Sequence, residues 1–149
     1  METPRKPRIL IVQDDRRELD STLQAIRRHG VGYEARTAVG GHEALDYLLG
    51  RGRFHERRRH PLPDLILLDL GMHPLDGVAV IRGIAGTPHL REIPVVLLYA
   101  SEQERERALR ETAETCAYAS KPLSPDTFHG VLLQALPWTL GTVNCPASS

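Results

Sequence analysis

Pro63-Asp64-Leu65-Ile66-Leu67-Leu68-Asp69-Leu70 decides the reading of this chain. The run Leu65-Ile66-Leu67-Leu68 is continuously apolar, introduced by a proline and closed by a carboxylate. A run this short and this uniform predicts a strand buried on both faces. A second run, Ile9-Leu10-Ile11-Val12, leads into Gln13-Asp14-Asp15, and Lys121-Pro122 follows a third, weaker candidate at Tyr118-Ala119. Strands apolar throughout belong to parallel sheets, whose ligands gather outside the carboxyl ends of the strands. Two carboxylates and one ammonium, distant in sequence, are therefore expected at one sheet edge. Carboxylates crowded together call for a cation between them, and hard divalent ions such as Mg²⁺ favour oxygen ligands. The set suits Mg²⁺ and a phosphoryl group.

Outward from this stretch, strand and helix patterns alternate. Residues 8–12 are the first strand. Asp15-Arg16-Arg17-Glu18 fits a capping box, opening a helix whose Leu19, Leu23 and Ile26 share one face and which His29-Gly30 closes. A strand over 33–37 leads through Gly40-Gly41 to a helix carrying Ala44, Leu45 and Leu48. Residues 51–63 read as a polar loop holding five arginines and two histidines. After the strand at 65–68 come a loop over 71–77 and a helix over 78–85. Residues 93–98 form another apolar strand, and 101–115 a charged helix with Glu106 and Arg110 at i,i+4. A short strand over 117–119 precedes a helix carrying Phe128, Val131, Leu132 and Leu136, which Pro137 ends. Five strand–helix units predict a parallel sheet covered on both faces, with an extension at 1–7, one domain over 8–136 and a loose tail at 137–149.

Bulk properties exclude several classes. The 149 residues suit a single domain, and Lys plus Arg balance Asp plus Glu at 19 each, so no net field favours nucleic acid or anionic lipid. Aromatic content of 5% provides no base-stacking surface. Cys116 and Cys145 lack metal or redox spacing. No apolar run reaches the roughly 18 residues that span a membrane, and no signal peptide is evident. A cytoplasmic protein with neither DNA nor membrane as partner is expected. Dinucleotide, P-loop and G-x-S-x-G fingerprints are absent.

Over residues 8–136 the pattern resembles the receiver domain of two-component response regulators. That family carries an acidic pair after strand one, an aspartate after strand three with Asp-Gly seven residues on, and Lys-Pro after strand five. Here these are Gln13-Asp14, Asp69 with Asp76-Gly77, and Lys121-Pro122, with Tyr118 at the aromatic position three residues before the lysine. The long loop before the third strand and Thr87-Pro88-His89-Leu90-Arg91-Glu92-Ile93-Pro94-Val95-Val96 are similar to single-domain regulators that accompany phytochrome histidine kinases. The resemblance implies a doubly wound, flavodoxin-like α/β fold with strand order 2-1-3-4-5. It implies phosphotransfer from a histidine kinase, a bacteriophytochrome in the finest reading, to Asp69. Mg²⁺ would be held by Asp14, Asp69 and the Gly71 carbonyl, with Gln13 acting weakly through a water. Lys121 would stabilise the transferring group, and Tyr99, Ala100 and Tyr118 would be the switch. Such a chain is a phosphoacceptor rather than an enzyme, without room after residue 136 for an output domain. It is expected to form a homodimer through the helix 4–strand 5–helix 5 face. The arginine-rich segment 51–60 would be a solvated loop or a kinase-docking patch.

Three departures stand out. Gln13 replaces a carboxylate and should weaken Mg²⁺ binding, since ligand charge helps set affinity. Tyr99 stands where a short hydroxyl is usual, and its bulky ring cannot make the same short inward movement. Gly71-Met72-His73-Pro74 places its proline one position late, leaves access to Asp69 open, and offers His73 as an exposed loop histidine. Gln13 and Tyr99 together define an alternative, a pseudo-receiver that binds partners without switching by phosphorylation. A phosphohydrolase is more remote, because no second nucleophile or acid motif lies near Asp69.

Overall fold

A computed structural model describes residues 6–30, 32–111 and 117–136. In chain order the elements are β1 (Arg8–Val12), α1 (Arg16–His29), β2 (Glu34–Ala38), α2 (Gly41–Leu49), β3 (Leu65–Asp69), α3 (Pro74–Ala85), β4 (Val95–Tyr99), α4 (Glu102–Glu111), β5 (Ala117–Ser120) and α5 (Pro125–Ala135). All neighbouring strands pair in parallel, in the order β2-β1-β3-β4-β5. This is the flavodoxin-like order that the resemblance implied. Residues 1–5, Cys116, and the whole tail over 137–149, with Cys145, lie outside the described residues, as does the end of the expected 101–115 helix.

The apolar runs of β1, β3 and β4 follow from their place inside a sheet covered on both faces, whereas the edge strand β2 exposes Glu34, Arg36 and Thr37. Leu10, Val12, Ile66, Leu68 and Leu97 enter one core with Ala44 and Leu48 of α2, Val80 and Ile84 of α3, and Ala108 of α4. The alternate residues Ile9, Ile11, Leu65, Leu67, Val96 and Leu98 enter a second core with Ala25 and Ile26 of α1 and Phe128, Val131 and Leu132 of α5. Side chains alternate along a strand, so burial on both faces demands an apolar residue at every position.

Helix α1 shows how local sequence sets an element's ends. The Asp15 carboxylate accepts from the N–H groups of Arg17 and Glu18, two donors that otherwise lack a partner in the first turn. Gly30 closes the helix at φ 92°, a left-handed conformation that glycine adopts at little cost. The capping box is nevertheless only half formed. The Glu18 carboxylate bonds Lys121, and the Asp15 N–H donates instead to Gln13 Oε1 at 3.0 Å.

Two expectations need correction. Helix α3 starts at Pro74, not at residue 78. Pro74 and Gly77 look like helix breakers in sequence, yet a proline at the first helical position gives up an N–H that needs no partner there. The arginine-rich segment is also more than a solvated loop. Phe54, at the end of a single 3-10 turn spanning Gly52–Phe54, is buried against Tyr47 with ring centroids 5.1 Å apart. The Arg57 guanidinium donates to the carbonyls of Tyr47 (2.7 Å) and Leu48 (2.6 Å), which end α2, and to that of His60 (3.0 Å). A cation placed on the last carbonyls of a helix satisfies them and complements its dipole. Arg51, Arg53 and Arg59 pair with Asp46, Glu43 and Glu56. These pairs and bonds tie much of the segment's charge to neighbouring groups.

Candidate phosphoacceptor site

The sheet register brings the chemistry together. Val12 lies beside Leu68, Asp69 beside Leu98 and Tyr99 beside Ser120, so the residues that follow β1, β4 and β5 meet the end of β3 at one edge. Asp69 is almost fully buried there, as is Gln13. A buried carboxylate needs partners, and Asp69 has them on both oxygens. Its Oδ1 accepts from the Gly71 N–H at 2.5 Å and from Lys121 Nζ at 2.9 Å. Its Oδ2 accepts from Lys121 Nζ at 2.9 Å and from Gln13 Nε2.

Gln13 is oriented by its own backbone neighbourhood. Its Oε1 accepts from the Asp14 and Asp15 N–H groups, each at 3.0 Å. With the oxygen so committed, the amide must present its N–H₂ side to Asp69. Sequence reasoning expected Gln13 to hold a metal-bound water; here it is a neutral donor to the carboxylate. Asp14, next in sequence, is exposed. Gly71 suits its place for a steric reason. A Cβ there would come 2.9 Å from Asp69 Oδ1 and 3.1 Å from Lys121 Nζ.

Lys121 is held by two carboxylates, because Glu18 Oε1 lies 2.5 Å from its Nζ. Burial alone would lower the Lys121 pKa. The hydrogen bonds and charges of Glu18 and Asp69 outweigh it and raise the pKa above the ordinary lysine value, so the ammonium stays charged. Glu18 is the site residue that sequence reasoning missed. Its place three residues after an N-cap assigned it to a capping box, although the same spacing sets it in the first turn of α1, at this sheet edge.

The remaining candidates separate. Tyr99 is half-buried, and its carbonyl accepts from the Lys121 N–H at 2.7 Å. The Ala100 N–H is taken by Glu104 Oε1 at 2.8 Å. Tyr118 packs partly buried on the first core, with the Arg105 guanidinium 5.7 Å above its ring. His73 is exposed in the β3–α3 loop, Asp46 pairs with His42 and Arg51, and Asp76 lies in the first turn of α3. Among the described residues, no cluster of three or more His, Cys, Asp or Glu side chains could hold a metal ion. Two carboxylates, Asp14 and Asp69, and the Gly71 carbonyl still fit Mg²⁺, which commonly takes one or two carboxylates and retains several waters.

Residues 9–133 match the response regulator receiver domain family. The chain belongs to that family. Curated relatives include the probable methanogenesis regulatory protein FilR2 of Methanothrix harundinacea, 34% identical over 116 residues, covering 78% of this chain and 72% of that one. Response regulator Rcp1 of Synechocystis is 26% identical over 140 residues, covering 94% and 93%. The chain spans only 44% of the transcriptional regulatory protein PrrA of Mycobacterium tuberculosis. Among solved structures, the bacteriophytochrome response regulator AtBRR superposes with a TM-score of 0.74 at 33% identity, covering 98% of this chain and all of that one. The Mn²⁺-bound form of Rcp1 gives 0.68 at 31%, covering 95% and 99%. These likenesses support a receiver that accepts a phosphoryl group and do not favour the non-switching alternative. Receiver domains of this kind bind divalent metal and work with histidine kinases. Among the described residues, no helix of the chain is long and apolar enough to cross a membrane.

Proposed function

We propose that Asp69 is the phosphoacceptor of a phytochrome-type single-domain regulator spanning residues 8–136. The observation that carries this reading is the buried Asp69 carboxylate, bridged on both oxygens by the Lys121 ammonium at the carboxyl edge of the sheet. In the reaction an Asp69 oxygen attacks the phosphorus of a phosphohistidine on a kinase, a bacteriophytochrome by kinship. The P–N bond breaks, and the imidazole leaves with the electron pair. Lys121 offsets charge on the phosphoryl oxygens, as a positioned cation does in such transfers. Asp14, Asp69 and the Gly71 carbonyl would hold Mg²⁺, which supplies charge neutralisation at the same oxygens. The setting is cytoplasmic.

Incubation with Mg²⁺ and acetyl phosphate, read by intact mass, tests this directly. A phosphate-sized gain that disappears in Asp69→Asn is expected, whereas no gain in the native chain would refute the assignment.

The site geometry also sets the metal's affinity. Gln13→Glu places a carboxylate where the amide now donates to Asp69, and two facing carboxylates draw in a cation. Calorimetric titration should show Mg²⁺ bound about tenfold more tightly, a difference of roughly 1.4 kcal/mol. Unchanged affinity would contradict this account of Gln13.

A homodimer through α4, β5 and α5 completes the proposal. Leu109 on α4 and Leu133 on α5 support it, each leaving about half of its apolar side chain exposed. Tyr99 is too bulky to step inward through a packed interior, so pairing should depend only weakly on phosphorylation. Sedimentation with and without beryllofluoride should give dissociation constants within a few-fold, about 1 kcal/mol. A hundredfold shift would show a working switch.

A further inference from the structure

An ammonium has three N–H donors, and Lys121 Nζ faces three acceptors: Glu18 Oε1 at 2.5 Å and the two Asp69 oxygens at 2.9 Å each. Every donor is committed. While Asp69 is still a free carboxylate, an approaching phosphoryl oxygen can bond this ammonium only by displacing one acceptor. Glu18 is the one positioned to yield, because its side chain is 44% exposed against 2% for Asp69, so water can solvate it on release. The contact joins the first turn of α1 to the end of β5, 103 residues apart, which sets it apart from neighbour pairing on one helix. It also returns to the site the negative charge that the neutral Gln13 leaves out.

We propose that Glu18 is a positioning residue for phosphoryl transfer, holding Lys121 at rest and restraining it from the incoming group. The inference deepens the assignment of Asp69 and rests on it. With acetyl phosphate as donor, an Asp69 oxygen bonds phosphorus, the P–O bond to acetate breaks, and acetate departs with the electron pair. As the phosphoryl group approaches, a Lys121 N–H shifts from Glu18 to one of its oxygens. The Glu18 carboxylate opposes the step twice, by retaining the donor and by repelling the anion that approaches.

The test uses the full chain with Mg²⁺, comparing native protein, Glu18→Gln and Glu18→Asp. Glu18→Gln should be phosphorylated by acetyl phosphate roughly three- to tenfold faster, the effect of removing one partly exposed charge. It should bind beryllofluoride more tightly by a similar factor. Glu18→Asp, which keeps the charge on a shorter arm, should fall back towards native behaviour. A purely structural Glu18 would shift the unfolding midpoint and leave beryllofluoride affinity alone. A Glu18→Gln variant no faster than native overturns the proposal. If the native chain itself gains no mass, the assignment of Asp69 fails first and takes this inference with it.

Discussion

Lys121→Ala should slow phosphorylation of Asp69 by about 10²–10³-fold, the usual cost of losing one preorganised group that stabilises transition-state charge. The magnitude follows from where the ammonium lies. Lys121 Nζ touches both Asp69 oxygens and is itself only 13% exposed, so bulk water cannot stand in for it. Within this low-dielectric edge a fixed cation acts more strongly than one in solution. The variant should remain folded, because the Gly71 N–H and the Gln13 amide still satisfy Asp69. Time-resolved intact mass with acetyl phosphate gives the rate, and near-ultraviolet circular dichroism checks the fold. A loss below about threefold in a folded variant, under 1 kcal/mol of transition-state stabilisation, would remove Lys121 from the transfer chemistry.

Phe128→Ala should destabilise the protein by about 3–5 kcal/mol, the range for truncating a fully buried aromatic residue. Phe128 projects from α5 into the second core, among Ile9, Ile11, Leu67 and Ile26, and its ring stands edge-on to His29 at 5.5 Å. Truncation leaves a cavity between α5 and the sheet, and strands packed on both faces cannot shift to fill it. Because small domains usually stay within about 5–15 kcal/mol of unfolding, roughly a fifth or more of the total stability is at stake. Urea denaturation with native and variant protein provides the measurement. A loss under about 1.5 kcal/mol would mean that α5 settles into the gap.

Much of the fold was legible because its signals are local. Leu65-Ile66-Leu67-Leu68 and Ile9-Leu10-Ile11-Val12 announce strands with no wet face, and the alternation of five strands with helices predicts a parallel sheet. Asp15 and Gly30 mark the ends of α1 through bonds made within a few residues. Element boundaries were less legible where one residue type has two meanings. Pro74 stops a helix in its interior but starts one at its first position, and only the neighbouring turn distinguishes the cases. The segment at 51–60 hid Phe54 and Arg57 among exposed charges, because their partners are the ring of Tyr47 and the end of α2.

The sequence by itself determined the sheet and its covered faces, and it singled out Asp69 and Lys121, which the structure brings into contact. Strand ends and apolar runs are properties of contiguous residues, so they can be read without the third dimension. Tertiary structure alone decided how those charges are partnered. It turned the Gln13 amide by committing its oxygen to two N–H groups, and it carried Glu18 across 103 residues to Lys121. Hydrogen bonds depend on where donors and acceptors meet in space, and that meeting exists only after β1, β3 and β5 have aligned their carboxyl ends.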